Sequence, residues 1–420
     1  MDRRGRTARA LALVSGCDLR LKRRLLSIST LYPAPTRPGF GRFVARQMET
    51  LAARGDWEVT VINPIGLPPF PFRSMGRYAQ LAAIPALDSG GPVAVHHPRF
   101  LLVPGLSGRF NPWLIARAVL PLARALHAQA PFDLVDAQFF YPDGPAAMRV
   151  AGALGLPCAI KARGSDIHFW GDRPAALAQM CSAAAAAAAV LAVSGALAGD
   201  MTALGLAPKG GITVHYTGLD HARFKPIPRC EARQRLGDLP GLTLRSSDRL
   251  AVSVGALLPI KGQALAIRAL TSLPSDIQLA LAGTGPDEAA LRALAASLGI
   301  SSRVHFLGTI SHQTLPLLLS AADVMVLPSE REGLANAWIE ALACGTPLIV
   351  PDIGGAREVL DRPAAGRLAA RTPEAIAAAM IELLTDPPPQ AEVAACAARF
   401  SWDANAAALA AIYESVASGH

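Results

Sequence analysis

From Leu25 onward, runs of apolar residues of strand length alternate with amphipathic stretches of helical period, and the alternation restarts at Leu250. Leu25–Thr30, Glu58–Ile62, Asp133–Ala137, Cys158–Lys161 and Val190–Val193 read as strands, and Phe40–Arg54 as the first helix. The second series comprises strands at Leu250–Val254, Ile277–Ala282, Val304–Phe306, Val324–Leu327 and Pro347–Val350, with helices at Gln263–Leu270 and Asp287–Leu298. Such alternation implies parallel sheets covered by helices on both faces. Between the series, residues 216–247 are rich in Pro, Gly and charge, as a linker is. Two α/β, Rossmann-like domains facing each other across a cleft follow. A length of 420 residues suits two cores. Pro387–Pro389 interrupts the last helices, and Trp402–Val416 reads as a terminal helix.

Composition excludes several alternatives. Hydrophobic residues make up 51% and charged residues 17%, so the chain can bury large cores. Of the net charge of +8, residues 1–24 carry +6, leaving +2 for the body. With aromatics at 5%, a nucleic-acid surface is not expected. The six cysteines are scattered with no C-x-x-C pair, which fits buried thiols in a reducing compartment. Ala8–Cys17 imitates a lipoprotein signal, but its apolar core is short, and residues 1–22 read as a basic, disordered extension. Cys181–Gly199 is uncharged until Asp200 and long enough to span a bilayer, yet its alanines, among them the helix filler Ala183–Ala189, and an internal strand argue for a soluble α/β segment.

The segment Pro328-Ser-Glu-Arg-Glu332-Gly-Leu-Ala-Asn-Ala-Trp-Ile-Glu340 follows a strand and reads as opening a helix at Glu332. The amides of Gly333, Leu334, Ala335 and Asn336 then form a helix N-terminus suited to phosphate and sugar hydroxyls. Glu340, two turns on, is placed to accept hydrogen bonds from a vicinal diol. Taken alone, the segment also reads as a capped amphipathic helix. Asp352-Ile-Gly-Gly355 after the next strand suggests a close backbone approach to a ligand or to the facing domain.

These motifs resemble the family 4 retaining glycosyltransferases, the group-1 glycosyl transferase type with the GT-B fold. The resemblance is carried by Glu332-x7-Glu340, the following Gly-Gly-x-x-Glu358, Val254-Gly255…Lys261-Gly262, Ala282-Gly283-Thr-Gly285, Gly218-Leu-Asp220, Gly39-Phe-Gly41, Tyr141-Pro-Asp-Gly144 and Arg163-Gly-Ser-Asp166, and it runs from about Arg23 to Tyr413. It implies an N-terminal acceptor domain at 23–217, joined by a C-terminal helix (400–417) that returns to it, and a donor domain at 218–395.

By the same resemblance, Glu332, Lys261 and Arg163 are the catalytic set. Gly41, Gly255, Lys261, Gly283, Gly333, Leu334, Ala335, Asn336 and Glu340 bind the donor, a UDP- or GDP-linked sugar. Two positions depart from the pattern: Ala256 stands where many relatives have Arg, and Arg163 where many have His. Arg163 is expected to supply the missing positive charge. His168 reads as a histidine of no special role.

The expected activity is metal- and cofactor-independent transfer of a hexose-type sugar to a glycan or polyprenyl-linked acceptor. The expected place is the cytoplasm, with the basic extension adding contact at the inner membrane face. Two other readings share the fold: a sugar-nucleotide epimerase, whose acid/base motifs are not found, and a non-catalytic sugar-nucleotide-binding subunit, against which the retained Glu332, Glu340 and Lys261 weigh.

Overall fold

The computed structural model describes residues 22–237 and 239–419. Cys17 and the signal-like segment lie outside the described residues. In the first half the strands are β1 (Arg23–Ile28), β2 (Trp57–Ile62), β3 (Ile65–Leu67), β4 (Leu87–Asp88), β5 (Ala94–His96), β6 (Arg99–Leu101), β7 (Leu134–Ala137), β8 (Cys158–Ala162), β9 (Ala189–Ala192) and β10 (Ile212–Val214). The second half adds β11 (Arg249–Val254), β12 (Ile277–Ala282), β13 (Val304–Gly308), β14 (Val324–Val326), β15 (Leu348–Val350) and β16 (Gly366–Leu368).

Two parallel sheets result, ordered β10-β9-β8-β7-β1-β2-β5-β4 and β13-β12-β11-β14-β15-β16. The edge strand β4 runs antiparallel, and β3 and β6 form a separate parallel pair. Each sheet reverses its strand order beside the first strand of its series, and in such sheets ligands bind outside the carboxyl ends of the strands at the reversal. In β1, Leu25, Leu26 and Ile28 are fully buried, as a parallel strand covered on both faces requires.

The Trp402–Ser418 helix belongs by packing to the first half. Its Leu409, Ala410 and Tyr413 share a core with Val44, Met48 and Leu51 of the Arg42–Ala53 helix and with Trp57. The rings of Trp57 and Tyr413 meet edge to face at 5.9 Å. Polar links reinforce the return: His215 Nε2 pairs with the Asn405 carbonyl at 2.9 Å, and the Tyr413 hydroxyl donates to Asp136.

Three local expectations change. The stretch 216–247 contains a short helix, Arg229–Arg235, whose Arg233 is clamped onto Asp323 at 2.6 Å. The alanine run is not a single helix: the Pro174–Ala186 helix stops inside it, and Ala189 already belongs to β9. Alanine fits both because it is small enough to pack under the sheet and carries no polar group to bury. Cys181–Gly199 thus contains the end of one helix, a strand and the start of another, and no helix among the described residues is long and apolar enough to cross a membrane. Cys158, Cys344 and Cys396 are buried as expected, whereas Cys230 is exposed.

Candidate active-site cleft

The cleft is assembled from loops at the carboxyl ends of strands. After β11 and β12 the backbones lie against each other: a Cβ at Gly283 would sit 1.9 Å from the Gly255 carbonyl oxygen, and one at Gly285 would sit 2.1 Å from that of Leu257. Both positions therefore require glycine for loop-on-loop packing. Ala256 is exposed beside them.

Lys261 ends a 3-10 turn, Pro259–Lys261, and Gly262 follows with φ +72°. A Cβ at Gly262 would lie 2.3 Å from the Pro328 carbonyl oxygen, and the Glu330 amide donates to the Ile260 carbonyl at 2.7 Å. These contacts fix the Lys-Gly turn against the loop after β14. The consequence is an ion pair between Lys261 Nζ and Glu332 Oε1 at 2.5 Å, with both side chains less than a quarter exposed.

Glu332 does not open a helix. The helix is Asn336–Ala343, capped at Ala335, and residues 332–335 are a loop. The reason is tertiary: the Gly333 carbonyl accepts from the Gly355 amide at 2.8 Å and from Ser194 Oγ at 3.1 Å, and Gly354 packs directly on the Glu332 carbonyl. Glu332 and Glu340 consequently do not share a helical face. Glu332 lines a cleft of about 850 Å³ with Gly333, Leu334, Lys261 and Arg163. Glu340 lines a hollow of about 270 Å³ with Asn336, Gly39, Arg42, Arg46 and His312. Desolvation raises the Glu340 carboxyl from its ordinary value to about 7.

The facing wall comes from the first half. Gly41, at φ +68°, starts the Arg42–Ala53 helix, and a Cβ there would lie 2.6 Å from the Leu31 carbonyl, so this turn admits only glycine. Asp166 organises the Arg163–Asp166 turn by accepting from the amides of Phe140, Arg163 and Gly164. Arg163 lines the cleft, but its guanidinium is held inward. It donates to the Gln138 carbonyl at 3.2 Å, to Gln138 Oε1 at 2.6 Å and to Gln47 Oε1 at 3.2 Å, above the Phe43 ring. Burial lowers its pKa to about 10.

Sequence reasoning overlooked this support, since two isolated glutamines carry no pattern. Fully buried Lys161 completes it, contacting Gln47 Oε1 at 3.1 Å and His215 Nδ1, and desolvation drives its pKa well down. His168 faces the cleft and pairs with Asp200 at 3.0 Å. Glu358, of the Gly-Gly-x-x-Glu motif, reaches across to the other half, accepting from the amides of Gly195 and Ala196 at 3.0 and 3.1 Å and from the Tyr216 hydroxyl at 2.8 Å.

Among the described residues, His, Cys, Asp and Glu form no group of three or more placed to hold a metal ion. The arrangement offers a cation beside a carboxylate at the mouth of one loop, a second carboxylate in a neighbouring hollow, and glycine backbones where the two halves touch.

A family model described as "Glycosyl transferases group 1" matches residues 239–399, and one described as "Glycosyltransferase Family 4" matches residues 38–223. The teichuronic acid biosynthesis glycosyltransferase TuaC of Bacillus subtilis is 30% identical over 338 residues, 79% of this chain and 82% of that protein. A D-inositol 3-phosphate glycosyltransferase of Thermobispora bispora is 33% identical over 225 residues, about half of each chain (49% and 51%). In structure, sucrose-phosphate synthase from Thermosynechococcus elongatus superposes with a TM-score of 0.77 at 20% identity, covering 95% of this chain and all of that one. HepE of Anabaena, in complex with UDP, superposes with a TM-score of 0.68 at 20% identity over 94% of this chain and 100% of that one. Two matching halves, one GT-B architecture and a relative similar along most of its length make this chain a member of the group 1, family 4 glycosyltransferases.

Proposed function

We propose that the protein transfers a hexose-type sugar from a UDP- or GDP-linked donor to a glycan or lipid-linked acceptor in cell-envelope glycan synthesis, with retention of anomeric configuration. The observation that carries this reading is the Lys261–Glu332 pair at 2.5 Å on the wall of the 850 Å³ cleft. A departing nucleoside diphosphate is a polyanion, and a positioned lysine is worth most where that charge develops. Glu332 stands where positive charge on an anomeric carbon needs stabilising, and Glu340 is the acceptor for ribose hydroxyls. The bond from the anomeric carbon to the phosphate oxygen breaks as that to the acceptor oxygen forms, and the acceptor proton passes to the leaving phosphate. This route uses no protein nucleophile.

Similar proteins support the donor class. HepE binds UDP and UDP-glucose, and a Mycolicibacterium smegmatis relative, 36% identical over 185 residues, is GDP-mannose-dependent. TuaC supports an envelope polymer as product. Lys261, the loop amides of Gly333 to Asn336 and the Gly39–Gly41 turn would hold the diphosphate without a metal; Arg163, its guanidinium committed to Gln138 and Gln47, would not reach it in this arrangement.

Calorimetric titration of UDP, GDP and ADP into the wild type and Glu340→Ala, in buffer containing chelator, tests the donor site. Micromolar binding of one nucleotide, lost in the variant, is expected; no binding of any of the three would overturn the reading. For the chemical step, an unchanged turnover number in both Glu332→Gln and Glu332→Ala would remove Glu332 from it.

A further inference from the structure

We propose that Arg42 and Arg223, two cations facing the hollow around Glu340, bind the donor phosphate next to the ribose; this rests on the donor reading above and names the residues that hold the anion. The cations of the larger cleft are already engaged. Lys261 is paired with Glu332 at 2.5 Å and Arg331 with Asp172 at 3.6 Å, while Arg163 is held by Gln138 and Gln47. Arg173 lies over the rings of Phe169 and Trp170, at 3.8 and 5.2 Å, and donates to the Phe169 carbonyl. A nucleotide sugar carries a negative charge on each phosphate, and one lysine shared with a carboxylate leaves most of that charge uncompensated.

The hollow of about 270 Å³ differs in its balance of charge. Arg42 opens the Arg42–Ala53 helix directly after the Gly41 turn, Arg223 lies in the connection between the two sheets, and His312 follows β13. All three line the hollow with Asn336 and Glu340. His312 has its pKa lowered by burial first, then by the charges of Arg223 and Arg42, so both guanidinium groups act on the same ring. Among the described residues neither arginine has an ion pair, whereas Arg46, one turn beyond Arg42, is held to Glu49 at 3.8 Å and to Asp220 at 3.9 Å. Glu340 compensates little: burial raises its carboxyl to about 7, and that carboxyl has no hydrogen-bond partner among the described residues. Two unpaired cations from distant segments repel each other, and an anion between them replaces that repulsion with two attractions. The first turn of the Arg42–Ala53 helix also holds no acidic residue and begins with a cation, against the preference of the helix dipole. A bound phosphate satisfies the guanidinium groups and the helix end together.

One loop leads from this hollow to the larger cleft. Gly333 and Leu334 line the cleft with Lys261, and Asn336 lines the hollow with Glu340. A donor lying along that loop, with its ribose at Glu340 and its sugar at Glu332, has its first phosphate on the Arg42 side and its second at Lys261. The planar fork of arginine suits bidentate binding of phosphate oxygens. Ala256 is exposed on the loop that leads to Lys261, where a cation would serve the same diphosphate.

The test is calorimetric titration of the full chain with UDP and GDP, with UMP and GMP, and with inorganic phosphate, the parent nucleosides being measured by displacement. The variants are Arg42→Ala, Arg223→Ala and Arg42→Ala combined with Ala256→Arg. Each single variant is expected to weaken binding of the preferred nucleoside diphosphate about 10- to 100-fold, as loss of a hydrogen bond to a charged group does. The monophosphate is expected to lose affinity as well, and the nucleoside to bind unchanged, which also reports an intact fold. Ala256→Arg is expected to restore most of the affinity lost in Arg42→Ala. Wild-type affinity for the diphosphate in Arg42→Ala, an equal loss for the nucleoside, or no recovery with Ala256→Arg would overturn the proposal. So would a loss confined to inorganic phosphate, which would mark the hollow as a site for a phosphorylated acceptor. Failure of the wild type to bind any nucleotide would overturn the donor reading itself, and this inference with it.

Discussion

Lys261 and Glu332 hold each other in the structure, and in the proposed function a donor diphosphate would draw the lysine away from its carboxylate. Lys261→Ala leaves Glu332 without that partner and removes the cation from the leaving group. Turnover is expected to fall by about 10²–10³, with a smaller change in KM, because the charge it meets develops mainly in the transition state. Steady-state kinetics against the donor checks this, and a pure KM effect would contradict it. Glu340 behaves differently. Its carboxyl is raised to about 7, so the neutral form is favoured by folding; that contribution is complete below its unfolded value and is lost as the pH rises through 7. On the proposed role of Glu340, ribose hydroxyls would donate to the ionised form, so donor affinity is expected to weaken by about tenfold per pH unit below 7 and to level off above it. Titration with a nucleotide sugar, whose diphosphate does not itself ionise in this range, gives the profile, and Glu340→Gln should flatten it. Neither the ion pair nor this shift was legible in the sequence, because the first joins loops 71 residues apart and the second comes from burial among segments distant in the chain. Glu332 and Glu340 stood out by their spacing after a strand, and Lys261 through the resemblance to the family 4 glycosyltransferases.

At the scale of elements, the loop after β14 shows where local reading fails. The composition of residues 332–335 is compatible with a first helical turn, and a helix N-terminus there would leave its amides free. Contacts from Gly355, Ser194 and Gly354 take the backbone into a loop, and the helix starts at Asn336. The same region carries the latch between the halves. The Glu358 carboxylate accepts from the first amides of the Gly195–Ala203 helix, where the helix dipole favours negative charge. Glu358→Ala is expected to shift the population toward a more open cleft and to speed hydrogen exchange at Gly195 and Ala196. Small-angle scattering and exchange measured by mass spectrometry would show it; unchanged exchange at both amides would mean that the contact is dispensable. The latch was foreshadowed only as a glycine-rich approach after β15, since sequence does not reveal which half Glu358 touches.

Over the whole molecule, the terminal helix joins the halves by crossing back to the first. Tyr413 is fully buried against Trp57 and donates to Asp136, whose side chain in turn accepts from Gln138, one of the groups holding Arg163. Tyr413→Ala is expected to destabilise the first half by about 3–5 kcal/mol. Tyr413→Phe, which keeps the ring but leaves Asp136 short of a donor, is expected to cost about 1–3 kcal/mol. Urea unfolding followed by circular dichroism separates them, and equal midpoints for wild type and Tyr413→Ala would show that the helix packs elsewhere. Parallel sheets, two series of strands, a terminal helix and the chemical identities of the cleft residues were determined by the sequence, because buried strands and amphipathic helices impose their periods on neighbouring residues. Tertiary structure alone decided the loop at Glu332, the inward hold on Arg163, the reach of Glu358 and the placing of Arg42 and Arg223 on one hollow. Each depends on which distant backbones meet, and hydrogen bonds and steric limits between segments far apart in the chain leave no local pattern.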